Sequence, residues 1–357
     1  MKKILLTIFV LALCFVNADA QSLNYKFSGY VDTYYATDND GNFEALSTGM
    51  RPFSYINKQK DQFRLNTAQV QGVFNYDNRV RGTIALHTGD LVQTGWTDLG
   101  TAYPLIQQAN AGFMAFNNFW IDGGYFLTHI GGEVLLPKDN WLSSHSLVTF
   151  YEPFYQAGVR FSYETPKFTA QLHLLNGNGI FEDNNYNKTV GIFLSYNLSN
   201  AIKIAYANTL GNEVADRPEN ARLLMFHNFN FYFNASEKFR VKAQIDYASL
   251  AEKEVGSQKI EAQSFMGISA QAQYSFTDKY AASLRASYIS SDKSLFGAAE
   301  SGTEIALGLQ YKPAEMLYCR IEGRMLGFDD KYKPFLVDNK AESSRMELML
   351  NIGVVLE

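Results

Sequence analysis

Charged and amide side chains recur at every second position in several stretches of this chain: Arg240, Lys242, Gln244 and Asp246, then Arg320, Glu322 and Arg324, then Arg345 and Glu347. The interleaved positions are apolar, as in Val241, Ala243, Ile245 and Tyr247, or in Met346, Leu348, Leu350, Ile352, Val354 and Leu356. A β-strand sends successive side chains to opposite faces, so each stretch is a ribbon with one wet and one greasy side. Opposed cations and anions around a shared aqueous interior set up a transverse field that orders small polar solutes and biases ion passage. The predicted lining comprises Asp32, Arg79, Arg81, Asp122, Arg160, Arg240, Lys242, Arg285, Glu304, Arg320, Arg324 and Arg345. As a group its basic members predict an anion-leaning interior. Taken singly, each charge also fits a plainer role, pairing with a neighbouring strand to keep the interior wet.

Catalytic patterns are weak. Ser143, Ser144, His145 and Ser146 are adjacent in one loop, whereas a hydrolase on strands needs a serine, a histidine and an orienting group converging from facing elements. His87 and His173 lack a second ligand at a helpful spacing, so no metal site and no cofactor are predicted.

The elements that must carry the charges follow from the same alternation. Sixteen strands are expected near 25–36, 63–76, 79–90, 104–116, 119–130, 154–164, 168–177, 188–198, 202–210, 222–234, 239–250, 262–276, 280–291, 302–312, 316–327 and 344–356. Tight turns such as Asp77-Asn78, Asn117-Asn118 and Thr277-Asp278-Lys279 alternate with long loops, many of them acidic: 37–62 holds Asp38, Asp40 and Glu44, 211–221 holds Glu213, Asp216 and Glu219, and 328–343 holds Asp329, Asp330 and Asp338. Regular alternation of short and long connections belongs to a closed, all-β, up-and-down transmembrane barrel, its turns periplasmic and its loops outside the cell. An even strand number puts both ends of the barrel at the turn rim. Aromatic residues gather beside the turns (Phe74, Tyr76, Phe116, Phe119, Tyr163, Phe168, Phe276, Tyr280, Tyr311), where an interfacial girdle belongs.

The N-terminus fits export. Lys2 and Lys3, an apolar run from Ile4 to Val16 and Ala18-Asp19-Ala20 make a secretory signal peptide over residues 1–20, leaving 21–357 as the barrel. Leu13 before Cys14 argues against a lipoprotein signal. Loss of Lys2, Lys3 and Asp19 moves the formal charge from −5 to −6, which disfavours nucleic acid as a partner. Cys319 is then the sole cysteine, so stability rests on the hydrogen-bonded ladder. Beyond the leader no apolar run approaches the roughly 20 residues of a spanning helix.

Loop 131–153 departs from its siblings. Leu135, Trp141, Leu142, Phe150 and Tyr151 make it far more apolar than the other long loops, and water rewards none of them. Folded into the barrel, these side chains would pack on the inner wall and narrow the passage. Packed over the rim or on a neighbouring subunit, they would be buried equally well.

Three stretches carry a resemblance. Phe27-Ser28-Gly29-Tyr30-Val31-Asp32-Thr33-Tyr34-Tyr35, Arg64-Leu65-Asn66-Thr67-Ala68-Gln69-Val70 and Tyr151-Glu152-Pro153-Phe154-Tyr155-Gln156-Ala157-Gly158-Val159 are similar to the putative β-barrel porin-2 family, also called OmpL-like, common in Bacteroidota. The resemblance spans essentially the whole mature chain and implies an outer-membrane porin. It transfers no defined functional residues. The chain ends Val355-Leu356-Glu357, where many such barrels end in an aromatic residue that assists recognition by the assembly machinery.

The expected protein is therefore a porin for passive diffusion of small hydrophilic solutes, not an enzyme. Outer-membrane lipid, the barrel-assembly machinery and, by analogy with porins whose third loop folds inward, a homotrimer are its expected partners. The competing expectation is a closed structural or adhesive barrel that binds partners through its acidic loops. Aromatics such as Trp120 and Phe126 are expected to face the lumen.

Overall fold

The turns show how local chemistry starts the ladder. Asp77 and Asn78 both have positive φ, 50° and 52°, the pairing that the central residues of a type I′ turn require and that Asp and Asn tolerate best. In the structure, a computed structural model, residues 23–41, 51–92, 104–183, 187–213, 221–255, 258–293 and 295–356 are described. The proposed signal peptide, together with Glu44, Asp216 and Glu219, lies outside the described residues.

Sixteen antiparallel strands close into one barrel. In chain order they are β1 (Leu23–Asp38), β2 (Phe63–Tyr76), β3 (Val80–Thr88), β4 (Ile106–Phe116), β5 (Phe119–Leu127), β6 (Tyr155–Glu164), β7 (Phe168–Leu175), β8 (Thr189–Asn197), β9 (Ile202–Asn212), β10 (Leu223–Asn234) and β11 (Phe239–Leu250). After a small loop hairpin, β12 (Lys253–Val255) with β13 (Gln258–Ile260), come β14 (Gln263–Ser275), β15 (Tyr280–Asp292), β16 (Ser301–Ala314) and β17 (Leu317–Phe328). A second loop hairpin, β18 (Phe335–Val337) with β19 (Lys340–Glu342), precedes β20 (Ser344–Leu356), which pairs with β1 and closes the ring. Each barrel strand hydrogen-bonds only to its ring neighbours, so no edge is left, the condition for backbone to cross hydrocarbon.

The expected barrel strands are all present, with ends that move by a few residues. The two loop hairpins were not expected, because three-residue strands are too short to show an alternation. Strand phase follows the sequence: along β20 Met346, Leu348, Leu350 and Ile352 are exposed to the surroundings, while Arg345, Glu347, Met349 and Asn351 are buried inside. Girdle residues Tyr76, Phe116, Tyr163, Phe276, Tyr280 and Tyr311 are exposed on the outside near the turns.

The apolar core is made by loops lying against the inner wall. Phe53 from loop 51–62, Ile130, and Leu147 and Val148 from loop 131–153 cluster with inward-facing Phe226, Phe265, Ile289 and Leu326. Ile56, Leu135, Leu136 and Phe154 form a second cluster with Tyr30 and Tyr318.

Candidate lumen and constriction site

Loop 131–153 is held by a reciprocal set of charges. On the wall, Arg285 of β15 is fully buried, its Nη2 2.5 Å from Glu304 Oε1 of β16. From the loop, Glu133 Oε1 lies 3.1 Å from Arg285 Nη1. Arg285 also donates to the Ser144 carbonyl at 2.7 Å and to the His145 carbonyl at 3.1 Å. In return the wall carboxylates accept from loop amides: Ser143 N to Glu322 Oε2 at 2.7 Å, and Leu147 N to Glu304 Oε2 at 2.6 Å. Arg320 completes the clamp, donating to the carbonyls of Pro137 at 2.7 Å and Asn140 at 2.8 Å. Backbone groups that would be costly to bury alone thus meet charged partners.

This arrangement explains the run Ser143 to Ser146. The amides of Ser143 and Ser144 and the Ser144 hydroxyl dock on Glu322, and His145 Nε2 hydrogen-bonds the Val134 carbonyl at 2.9 Å within the same loop. Burial pushes the basicity of His145 down. Burial also opposes charge on Glu133, but the Arg285 guanidinium overrides it and holds that carboxyl well below the usual carboxylate range.

Loop 51–62 is anchored in the same way. Arg51 Nε sits 2.7 Å from Asp38 Oδ2 and its Nη2 2.8 Å from Glu347 Oε2. Arg345 pairs with Glu347 and donates to the Pro52 carbonyl at 2.7 Å, and Arg324 bridges Glu304 at 2.8 Å and the Phe53 carbonyl at 3.1 Å. Asp32 accepts from Tyr318 Oη at 2.6 Å and from the Asn66 amide at 2.8 Å. A bulge at Asn66, where the β1/β2 register shifts, turns that amide inward.

A third group lines the opposite wall nearer the turns. Asp122 is shared by Arg81 at 2.6 Å and Arg160 at 3.1 Å, and Arg81 also reaches Glu164 at 2.9 Å. The two guanidinium groups lie over Trp120 and Phe126, 4.2 Å and 4.7 Å from the ring centroids, so both aromatics do face inward. These arginines remain partly exposed, unlike Arg285 and Arg345.

Two expectations need correction. Arg79 does not line the lumen: it belongs to the turn before β3, its side chain is 79 % exposed, and its nearest acid is Asp77 at 3.8 Å. The alternation that would aim it inward stops where the strand stops. Second, the inward charges of β15, β16, β17 and β20 do not border open water, because the two loops cover them; acids balance bases there, so this part of the wall is no basic surface.

The ladder, closed ring and interior charges describe a porin-type barrel, and residues 24–356 match the model of one such family, putative beta-barrel porin-2, OmpL-like. The chain belongs to this family. No curated protein matches it in sequence. Among solved structures it is similar to the trimer form of in-vitro folded OmpT, an outer membrane protein of Vibrio cholerae, at 13 % identity and TM-score 0.60, covering 94 % of this chain and 100 % of that one. The outer membrane channel DcaP of Acinetobacter baumannii gives 11 % and 0.61, covering 94 % and 98 %. An anion-selective porin from Comamonas acidovorans gives 10 % and 0.59, covering 94 % and 100 %. At such identities the likeness is one of fold. The OmpL-like chain is an outer-membrane β-barrel.

Within this OmpL-like barrel the remaining sequence-chosen residues fall as follows. Leu135 and Leu142 are buried, and Leu142 fills the space in front of Gly308. Phe150 packs on Phe53 and Tyr55 at ring separations of 5.6 Å and 4.8 Å, and Tyr151 packs on Phe265 at 5.0 Å. Trp141 lies under Arg240 and Lys242, 5.2 Å and 5.1 Å from their cationic centres. Neither cation is in an ion pair among the described residues; Lys242 donates to the Gly132 carbonyl and Arg240 to Gln273.

Sequence reasoning missed Glu133, Glu152 and Arg51. Glu133 and Glu152 were legible as acids within an otherwise apolar loop, a placement that makes sense only if each meets a buried partner. Glu152 Oε1 accepts from Gln244 Nε2 at 2.6 Å, beside Asp246. Burial and that neighbouring carboxylate hold Glu152 well above the usual range.

Proposed function

We propose that this barrel lets small hydrophilic solutes diffuse passively across the outer membrane, with loop 131–153 as its constriction and a preference for anions, and that it does no chemistry on them. The observation that carries this reading is the seating of that loop on Arg285, Glu304, Arg320 and Glu322 of the inner wall, with Leu135 and Leu142 buried beside them. The anion preference is supported by Arg240 and Lys242, cations that no carboxylate neutralises by direct pairing, of which Arg240 borders space toward the turns. A solved porin of similar fold is itself anion-selective. Outward apolar stripes would meet lipid, and a homotrimer would match the trimer form of OmpT.

A second reading has a specific observation in its favour. The loops cover Arg285, Glu304, Arg345 and Asp32 so fully that the half of the bore toward the long loops is packed, as in a closed structural barrel. That reading also called for acidic loops free to bind partners, yet Asp38 is already engaged by Arg51 and Lys60. Purified protein in a planar bilayer separates the two. Stepwise conductance with a reversal potential on the anion side under a salt gradient supports the porin; consistent absence of channels supports the closed barrel.

A further inference from the structure

We propose that the turn-side mouth of the lumen, at the ends of β11, β14, β15 and β16, binds a small dianion through carboxylate or phosphoryl oxygens. A cavity of about 410 Å³ opens there, lined by Lys238, Arg240, Lys279 and Lys312 together with the amides of Gln273 and Gln310. The size suits a small organic solute.

Neighbouring strand ends and turns bring these cations into one space. Arg240 stands in the inward row of β11 with Lys242 and Gln244, and Lys312 in that of Glu304 and Gln310 on β16, while Lys238 comes from the turn before β11. Lys279 comes from the turn before β15, where it lines the same space as inward-facing Ala281. The rim residues of opposite phase, Tyr280 and Tyr311, stack on each other on the lipid side at 4.9 Å.

The pairing is unfavourable without a ligand. Lys312 N donates to the Lys279 carbonyl at 2.8 Å, so two lysines face each other across the ladder, where like charges destabilise. Among the described residues none of the four cations is in an ion pair. The lining also contains Glu237 and Asp278, which leaves two positive charges over, an excess that a dianion would balance. Arg240 is held by Gln273 and by the face of Trp141, and Gln273 in turn donates to Ser283 Oγ at 2.9 Å. A guanidinium fixed in this way presents a ready fork to two oxygens, with lysines as point charges around it.

The inference rests on the reading of the bore as a solute path, and calorimetry separates the two because binding needs no conductance. The full barrel in detergent at low salt is titrated with inorganic phosphate. Saturable binding is expected, weakened about tenfold or more in Lys279→Gln/Lys312→Gln and again in Arg240→Gln, in line with loss of charge-assisted hydrogen bonds. Lys331→Gln, on an exposed outer loop, should change nothing. Absence of saturable binding, or equal binding by the double variant, overturns the site. So does competition by phosphatidylglycerol in nanodiscs with none by phosphatidylcholine, which would assign the cations to lipid headgroups. Conductance without phosphate binding removes this site and leaves the diffusion reading; phosphate binding lost in the double variant without conductance does the reverse.

Discussion

The imidazole of His129, just before loop 131–153, stacks on that of His173 in β7, with ring centroids 4.0 Å apart and planes 14° from parallel. His129 Nε2–H donates to the Asn208 carbonyl at 2.9 Å, and the Gln156 amide spans both rings, 2.9 Å from His129 Nδ1 and 3.2 Å from His173 Nδ1. The stack joins the base of the loop to the wall. Burial pushes His129 below its ordinary range, and nearby Arg160 adds to that.

The loop should therefore respond to pH at both ends, in opposite senses. Once released, His129 titrates near roughly 6.5, so as pH falls through that value the free loop gains a proton the docked loop refuses, and docking weakens. Glu152 at the other end is raised, so its contribution is complete in acid and is lost as pH rises through its docked value. Single-channel open probability recorded against pH should be lowest in between. His129→Phe should abolish the acid limb and Glu152→Gln the alkaline limb; unchanged limbs would remove these residues from gating.

Arg285→Met should destabilise the barrel by about 3–5 kcal/mol, because Glu133, Glu304 and Glu322 are left buried around an absent cation. Urea unfolding in detergent micelles measures the loss. The same variant should conduct more than the parent, since the carbonyls of Ser144 and His145 lose their anchor.

Arg81→Gln and Arg79→Gln form a paired test of inward phase. The first removes a cation shared by Asp122 and Glu164 inside the lumen and should shift the reversal potential toward cations. The second alters an exposed turn and should leave it unchanged.

Gly124→Ala should cost about 1–3 kcal/mol, as expected for a non-glycine residue held in a sparsely populated backbone region. Its φ is +131°, and a Cβ there would lie on the Ala109 carbonyl oxygen. The temperature at which the folded band disappears on a gel should drop. Gly124 faces Gly158 across β5 and β6 just before the loop leaves the wall, so loop docking should suffer with it.

How much of this was legible depends on the range of the interaction. Whether a residue faces in or out follows from the pleat, a local rule of period two, so the alternation in 345–356 was enough to orient Arg345 and Met346. Turn residues such as Asp77 and Asn78 carry their own backbone preference, and alternating short and long connections set the strand count and the rim of each end. Where the strand ends the rule ends too, which is why Arg79 was misplaced.

Which inward charges meet is a different kind of question. Arg285 and Glu133 are 152 residues apart, and Arg345 meets the Pro52 carbonyl across 293. No local pattern encodes such pairs, because they exist only once β20 has closed on β1 and the loops have folded back along the bore. The sequence by itself determined a sixteen-stranded ribbon with a wet face and an unusually apolar loop. Only the closed barrel decided that the loop's amides and acids would neutralise one wall and leave Arg240, Lys238, Lys279 and Lys312 in excess over Glu237 and Asp278 at the other end.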